Sequence, residues 1–242
     1  VVLNAAFAIS TQVSNAVFMF VGNFQTAFSP QITKLYASNS KEELYLLVDR
    51  AARLSFYLLL VVVLPISLNV DAILTVWLKI VPDYTNYFVL ITLGVMLIDT
   101  ISGPLWMVIN STGEIKRYQI YISLLTFVNV GIIYVLLFFG FTPVSALLTR
   151  LIFAIVLLLT RLWILQQKMD FNVLHFFKNT IQPIFYVSIC AVIAWVALNL
   201  FDIPNGILSI ILKSTMAMLL SLTIIYVIGL SLQERQYIKN FI

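Results

Sequence analysis

The chain has 242 residues, of which 62% are hydrophobic and 10% charged, with a net charge of +4. A typical soluble domain carries roughly 25% charged residues, and a mean hydropathy of +1.04 leaves more apolar surface than a soluble fold can hide. A soluble protein with one apolar tail is excluded too, because apolar runs recur along the whole length.

A spanning helix needs about 20 mostly apolar residues, and a barrel strand about 10 with alternation. The runs here are helix-length and do not alternate. The expected fold is therefore an all-α polytopic membrane protein of about seven transmembrane helices. They fall at about 3–33, 51–76, 84–111, 118–140, 143–167, 182–201 and 207–231. Connections are short, with no low-complexity segment and no internal repeat. The chain begins Val1-Val2 inside an uncharged stretch without a basic n-region. That excludes a signal peptide and reads as a fragment lacking an upstream part. The single Cys190 cannot form an internal disulfide.

Basic residues orient the spans. Lys34, Lys41, Arg50 and Arg53, then Lys116, Arg117, Arg161, Lys168, Lys178, Arg235 and Lys239, fall on one side. Only Lys79, Arg150 and Lys213 fall on the other. By the positive-inside rule, the side with eleven basic residues is cytoplasmic. The N-terminal end then lies outside and the C-terminus inside.

Local signals refine this picture. Ser40-Lys41-Glu42-Glu43 has the form of a capping box, opening a cytoplasmic helix that runs into the second span. Pro65 and Gly103-Pro104 sit inside spans and favour kinks. Trp77, Tyr84 and Tyr87 form an aromatic belt at the outer turn. Residues 170–178 read as an interfacial helix capped by Asp170, with Phe171, Leu174 and Phe177 turned toward lipid.

Three polar constellations lie within the apolar runs. Gln12, Asn15, Met19, Asn23, Thr26 and Pro30 share one face of the first span. Thr92, Met96, Asp99, Gly103, Trp106 and Asn110 share one face of the third. Each stripe serves either as helix–helix hydrogen bonding or as a cavity lining. Asp99 falls near the bilayer centre, where a charge costs about 2.5–3.5 kcal/mol. It is protonated, paired or facing water, as a structural or a functional carboxyl. Arg150 and Arg161 lie eleven residues apart on one side of the fifth span, about 16 Å along the axis. They either snorkel or contact an anion on a cavity wall. The lone His175 offers neither a metal cluster nor a triad. There is no phosphate-binding glycine loop and no HExxH, so no cofactor, metal or catalytic residue is expected. The outer turns, about 77–84, 140–143 and 201–207, are too short for the aqueous loops of a membrane-embedded polymerase or acyltransferase. A nucleic-acid partner is not expected.

The stretch NFQTAFSPQITKLYASNSKEEL (23–44) resembles the end of the eighth helix in polysaccharide flippases of the multidrug/oligosaccharidyl-lipid/polysaccharide exporter superfamily. DAILTVWL (71–78) is similar to the outer end of the ninth helix in that family. PLWMVINSTGEIK (104–116) is similar to the tenth helix and the turn after it. The last two spans match in hydropathy alone.

The resemblance implies a fourteen-helix exporter with two six-helix lobes and two extra C-terminal helices. Residues 1–167 would be the eighth to twelfth helices, and 168–242 an interfacial helix with the extra pair. It implies alternating-access transfer of a polyprenyl-diphosphate-linked oligosaccharide across a bacterial inner membrane, for cell-surface polysaccharide and lipopolysaccharide synthesis. Arg150 and Arg161 become candidate cavity residues, beside Asn15, Asn23, Asp99 and Asn110. A drug exporter of the same fold, with Asp99 as the site of a coupling cation, is the alternative; a polymerase or acyltransferase is the third reading.

Overall fold

The computed structural model describes residues 2–200, 207–231, 234–236 and 239. The expected outer turn near 201–207 lies almost wholly outside the described residues. All regular structure among the described residues is helical. The chain forms α1 (Val2–Thr26), α2 (Ser29–Ala37), α3 (Lys41–Leu68), α4 (Val70–Leu78) and α5 (Thr85–Ser111). It continues with α6 (Lys116–Phe138), α7 (Pro143–Met169), α8 (Val173–Phe176), α9 (Gln182–Leu200) and α10 (Ile207–Ile224). A π-turn, Phe177–Ile181, joins α8 to α9, and a second, Ile225–Gly229, ends α10. Among the described residues, seven helical stretches are long and apolar enough to span a membrane.

Helices α3 and α5 form the middle of the bundle and bury most of their apolar residues. α5 packs against α1, α3 and α7, while α9 and α10 pack together and against α3. α6 packs on α7, and Tyr118 is its one buried residue among the described residues. Large side chains such as Phe127, Phe138 and Leu219 are exposed at 77%, 75% and 65%. That much outward apolar surface fits lipid rather than water.

Two expected spans are interrupted. The first breaks at Ala27–Phe28, because Pro30, in the first turn of α2, has no amide for the Thr26 carbonyl. The second ends at Leu68. There Asn69 turns the chain, donating from Nδ2 to the Pro65 carbonyl (3.1 Å) and to Ser214 Oγ (3.1 Å). The apolar segment beyond it is the separate helix α4.

Both internal prolines lie within continuous helices, α3 and α5. Pro104 leaves the Thr100 carbonyl without its helical donor. Gln25 of α1 supplies one: its Nε2 donates to that oxygen at 2.8 Å. Gly103 makes the approach possible, since a Cβ there would collide with the Gln25 side-chain amide. A proline in a membrane helix is tolerated when a neighbouring helix satisfies the freed carbonyl, and here it fastens α1 to α5.

Two expected caps are not made as the sequence reading had them. Ser40 makes no side-chain cap bond; its hydroxyl faces that of Ser38 at 3.1 Å. A reciprocal capping box forms instead at Ser231–Glu234. The Ser231 amide donates to Glu234 Oε2 (2.8 Å), and the Glu234 amide donates to Ser231 Oγ (3.4 Å). Asp170 ends α7 in a left-handed conformation (φ 54°), and Asn172 caps α8, accepting from the His175 amide at 3.0 Å. Leu174 and Phe177 face outward as expected, but Phe171 is buried against Tyr45 and Phe176.

One end of the bundle gathers the basic residues. Lys41 Nζ and Tyr45 Oη donate to the Met169 carbonyl at 3.4 and 2.9 Å. Lys168 pairs with Glu114 at 3.2 Å. Arg53 donates to the Asn179 carbonyl at 2.8 Å and pairs with Glu234 at 2.5 Å. Asp49, beside it, accepts from Thr180 Oγ1 at 3.1 Å and lies 3.1 Å from His175 Nδ1. The lone histidine thus has a carboxylate partner. This network fixes α8, the π-turn and the segment after α10 to α3.

Candidate functional site

Helices α1, α5 and α7 run in the same direction and leave a groove between them. Its volume is about 510 Å³, and its walls include Phe18, Gln25 and Thr26 of α1, Asp99 and Trp106 of α5, and Arg161 of α7. A smaller recess of about 160 Å³ lies beside it, toward the start of α7, lined by Asp99, Asn129 of α6 and Arg150. Asp99 lines both, so it stands between the two arginines. It is exposed to these spaces.

Each arginine has a neutral partner. Arg161 Nε donates to the hydroxyl of the buried Tyr118 at 3.0 Å. The Arg150 guanidinium lies 5.7 Å from the centre of the Phe7 ring on α1, a cation–π contact. Among the described residues, no Lys or Arg nitrogen lies within 4.0 Å of an Asp99 oxygen. The three side chains therefore share one region without closing into an ion pair. Both guanidiniums keep donors for an anion, and Asp99 keeps its acceptors for a cation, a hydroxyl or water.

The stripe on α1 is divided from the bundle. The face that α1 buries is Ala6, Ser10, Ser14, Val17, Val21 and Gln25. Ser10 and Ser14 bond back to carbonyls of their own helix (2.8 and 2.7 Å), which keeps them small at the seam. Gln12, Asn15, Asn23 and Thr26 are exposed, next around the helix from the groove; Thr26 belongs to both. Asn15 and Asn23 touch no other helix of this bundle through a hydrogen bond among the described residues. Polar residues within a span must face protein or water rather than lipid. This face therefore needs a partner or an aqueous space.

The α5 stripe splits in two. Thr92 and Met96 are buried, and Thr92 Oγ1 bonds the Phe88 carbonyl of its own helix. Asp99 and Trp106 face the groove, while Asn110 is half-buried near the basic end and outside it. The candidates are thus sorted: Asp99, Arg150 and Arg161 come together, Asn15 and Asn23 flank them on an outward face, and Asn110 stands apart.

Tyr118 and Gln25 are the additional residues at this site. Tyr118 lies at the start of a span, two residues after Lys116, where only a three-dimensional contact connects it to Arg161. Gln25 stands on the buried face, one position from the stripe that includes Thr26.

A seven-span helical bundle whose spans carry charged and amide side chains toward an internal groove defines a multi-pass membrane protein compatible with transport. Comparison with protein-family models, curated proteins and solved structures gave no match for this chain.

Proposed function

We propose that the chain forms one lobe of an exporter that carries an anionic, lipid-linked oligosaccharide across a bacterial inner membrane by alternating access. The observation that carries the reading is the placement of Arg161 in the groove among α1, α5 and α7 and of Arg150 in the recess beside it, with Asp99 lining both. A diphosphate needs cationic donors in a space shielded from lipid, and two guanidiniums without acid partners supply them. The outward polar face of α1, with Asn15 and Asn23, extends the lining toward whatever completes the cavity. The resemblance of residues 23–44 and 104–116 to polysaccharide flippases supplies the substrate class: a polyprenyl-diphosphate oligosaccharide used for cell-surface polysaccharide.

The chain's role is transfer between leaflets, without bond chemistry. By the distribution of basic residues, the end bearing Lys34, Arg53 and Lys168 faces the cytoplasm, and the N-terminal end faces outward. Arg150→Ala and Arg161→Ala in the protein as its host makes it should each lower surface glycan while membrane abundance stays constant. Normal surface glycan in both would remove the arginines from the site.

Asp99 supports a second reading, a cation-coupled drug exporter, because it faces the groove unpaired. Under that reading Asp99→Asn abolishes cation dependence of export and leaves glycan levels unchanged.

A further inference from the structure

The α6–α7 hairpin carries a second groove, separate from the two spaces that Asp99 lines. It lies where α6 begins and α7 ends, and its volume is about 280 Å³. Arg117 and Lys168 stand in its wall with Ile120, Tyr121 and Trp163. Tyr121 and Trp163 meet edge to face, ring centres 5.6 Å apart and planes at 83°. Both rings remain exposed, and no protein hydrogen bond uses the Trp163 indole N–H or the Tyr121 hydroxyl among the described residues. Deeper along the same two helices, Leu124, Phe127 and Leu159 are exposed.

The charge at this mouth is positive. Lys116, Arg117 and Lys168 surround one acid, Glu114, which pairs with Lys168. Arg117 is exposed and forms no ion pair or hydrogen bond among the described residues. From the rim inward the order is cation, amphipathic aromatic pair, then bare hydrocarbon side chains. That order matches the depth profile of a bilayer leaflet, in which phosphate lies above ester groups and ester groups above acyl chains. A free phosphate would use the rim alone, and an apolar partner helix would leave Arg117 without a counter-charge.

We propose that this groove binds one anionic glycerophospholipid. Arg117, whose guanidinium has no protein partner among the described residues, holds the headgroup phosphate, the Trp163 and Tyr121 polar edges face the glycerol esters, and the acyl chains lie along the α6–α7 seam. The site is separate from the export groove and does not rest on the export reading. Near an anionic surface each basic residue contributes about fivefold in affinity.

The test uses the full chain with Trp77, Trp106 and Trp195 changed to Phe, so that Trp163 is the only indole. It is reconstituted in phosphatidylcholine bilayers containing acyl-brominated phosphatidylglycerol or acyl-brominated phosphatidylcholine. Brominated phosphatidylglycerol should quench Trp163 at severalfold lower mole fraction. Arg117→Gln should remove about fivefold of that preference, whereas Arg50→Gln, an exposed cation of the same end outside the groove, should not. Equal quenching by both lipids overturns the proposal. So does an equal loss in Arg50→Gln, which would mean a diffuse surface field. Trp163 shielded from both lipids at high protein density but quenched on dilution would mean that a second copy covers the groove, and would overturn it as well.

Discussion

Gln25 donates to the Thr100 carbonyl at 2.8 Å, across 75 residues of chain, and that carbonyl is the one Pro104 leaves without a helical donor. Removing the amide strands a buried acceptor, at a cost of about 1–2 kcal/mol. Gln25→Ala should therefore lower thermal stability in detergent. Gly103→Ala should do so by a comparable amount, because its Cβ would collide with the Gln25 side chain. The double variant Gln25→Ala/Gly103→Ala should be less damaging than the two losses added, since the smaller side chain vacates the contact. Full additivity in the melting curves would contradict this lock between α1 and α5.

Arg53 and Glu234 form the second tie, from α3 to the segment behind α10. Both side chains are largely buried, at 9% and 13% exposed, so truncating one leaves the other charge uncompensated, a loss of about 3 kcal/mol. Glu234→Ala should release the last segment, read as faster proteolysis after Leu230 with α3 still protected. Unchanged cleavage would show that the ion pair is not what holds it.

The same pair sets a pH dependence. Burial by itself would raise the Glu234 carboxyl, but the Ser231 amide, the Arg53 charge and the Ser231 and Arg53 side-chain bonds outweigh it and hold the carboxyl below its ordinary value. A depressed carboxylate stabilises the fold above its unfolded value, about 4.3, and loses that contribution as pH falls through its folded value. Stability should therefore decline on acidification below about pH 4.3 in the parent chain, and more shallowly in Glu234→Gln. Superimposable pH profiles of the melting temperature would refute the assignment.

Much of the architecture is legible in the chain because lipid simplifies the rules. An apolar run of spanning length has to be a helix, since each backbone group must be satisfied internally; seven such runs read correctly. Three of the basic residues predicted to share a side, Lys41, Arg53 and Lys168, do tie separate elements together at one end. What could not be read depends on contacts distant in sequence. The polar stripe on α1 has the right spacing for a helix seam, but the seam uses the neighbouring face, because Ser10, Ser14 and Gln25 fit the small gap to α5. The S-x-x-E pattern occurs at Ser40, Ser111 and Ser231, and only the last closes. There Glu234 is held against Arg53 and oriented back toward the Ser231 amide. The union of Asp99 with Arg150 and Arg161 needed the packing of α5 on α7.

The outward face of α1 yields a direct labelling test. In a Cys190→Ser background, cysteines at Asn15 and Asn23 should react with a water-soluble maleimide in membranes, as expected for an aqueous lining. A cysteine at the lipid-facing Phe127 should not. Equal, low reactivity at all three positions would mean that the stripe is sealed by protein.

Orientation can be checked at the turn between α2 and α3. Ser38 is exposed there. A cysteine at this position in the same background should stay unlabelled by an impermeant reagent in intact spheroplasts and react once they are opened. Labelling in intact spheroplasts would invert the proposed topology.

The most direct measurement is transfer of a fluorescent polyprenyl-diphosphate oligosaccharide between leaflets of proteoliposomes containing the whole protein, comparing the parent with Arg150→Ala, Arg161→Ala and the doubly substituted form. Transfer should fall about tenfold or more in each single variant, as expected when a charge-assisted contact worth about 1.5–3 kcal/mol is lost. The double variant should be close to protein-free vesicles. Undiminished transfer in the double variant, with equal reconstitution, would contradict the claim that the arginines flanking Asp99 carry the substrate.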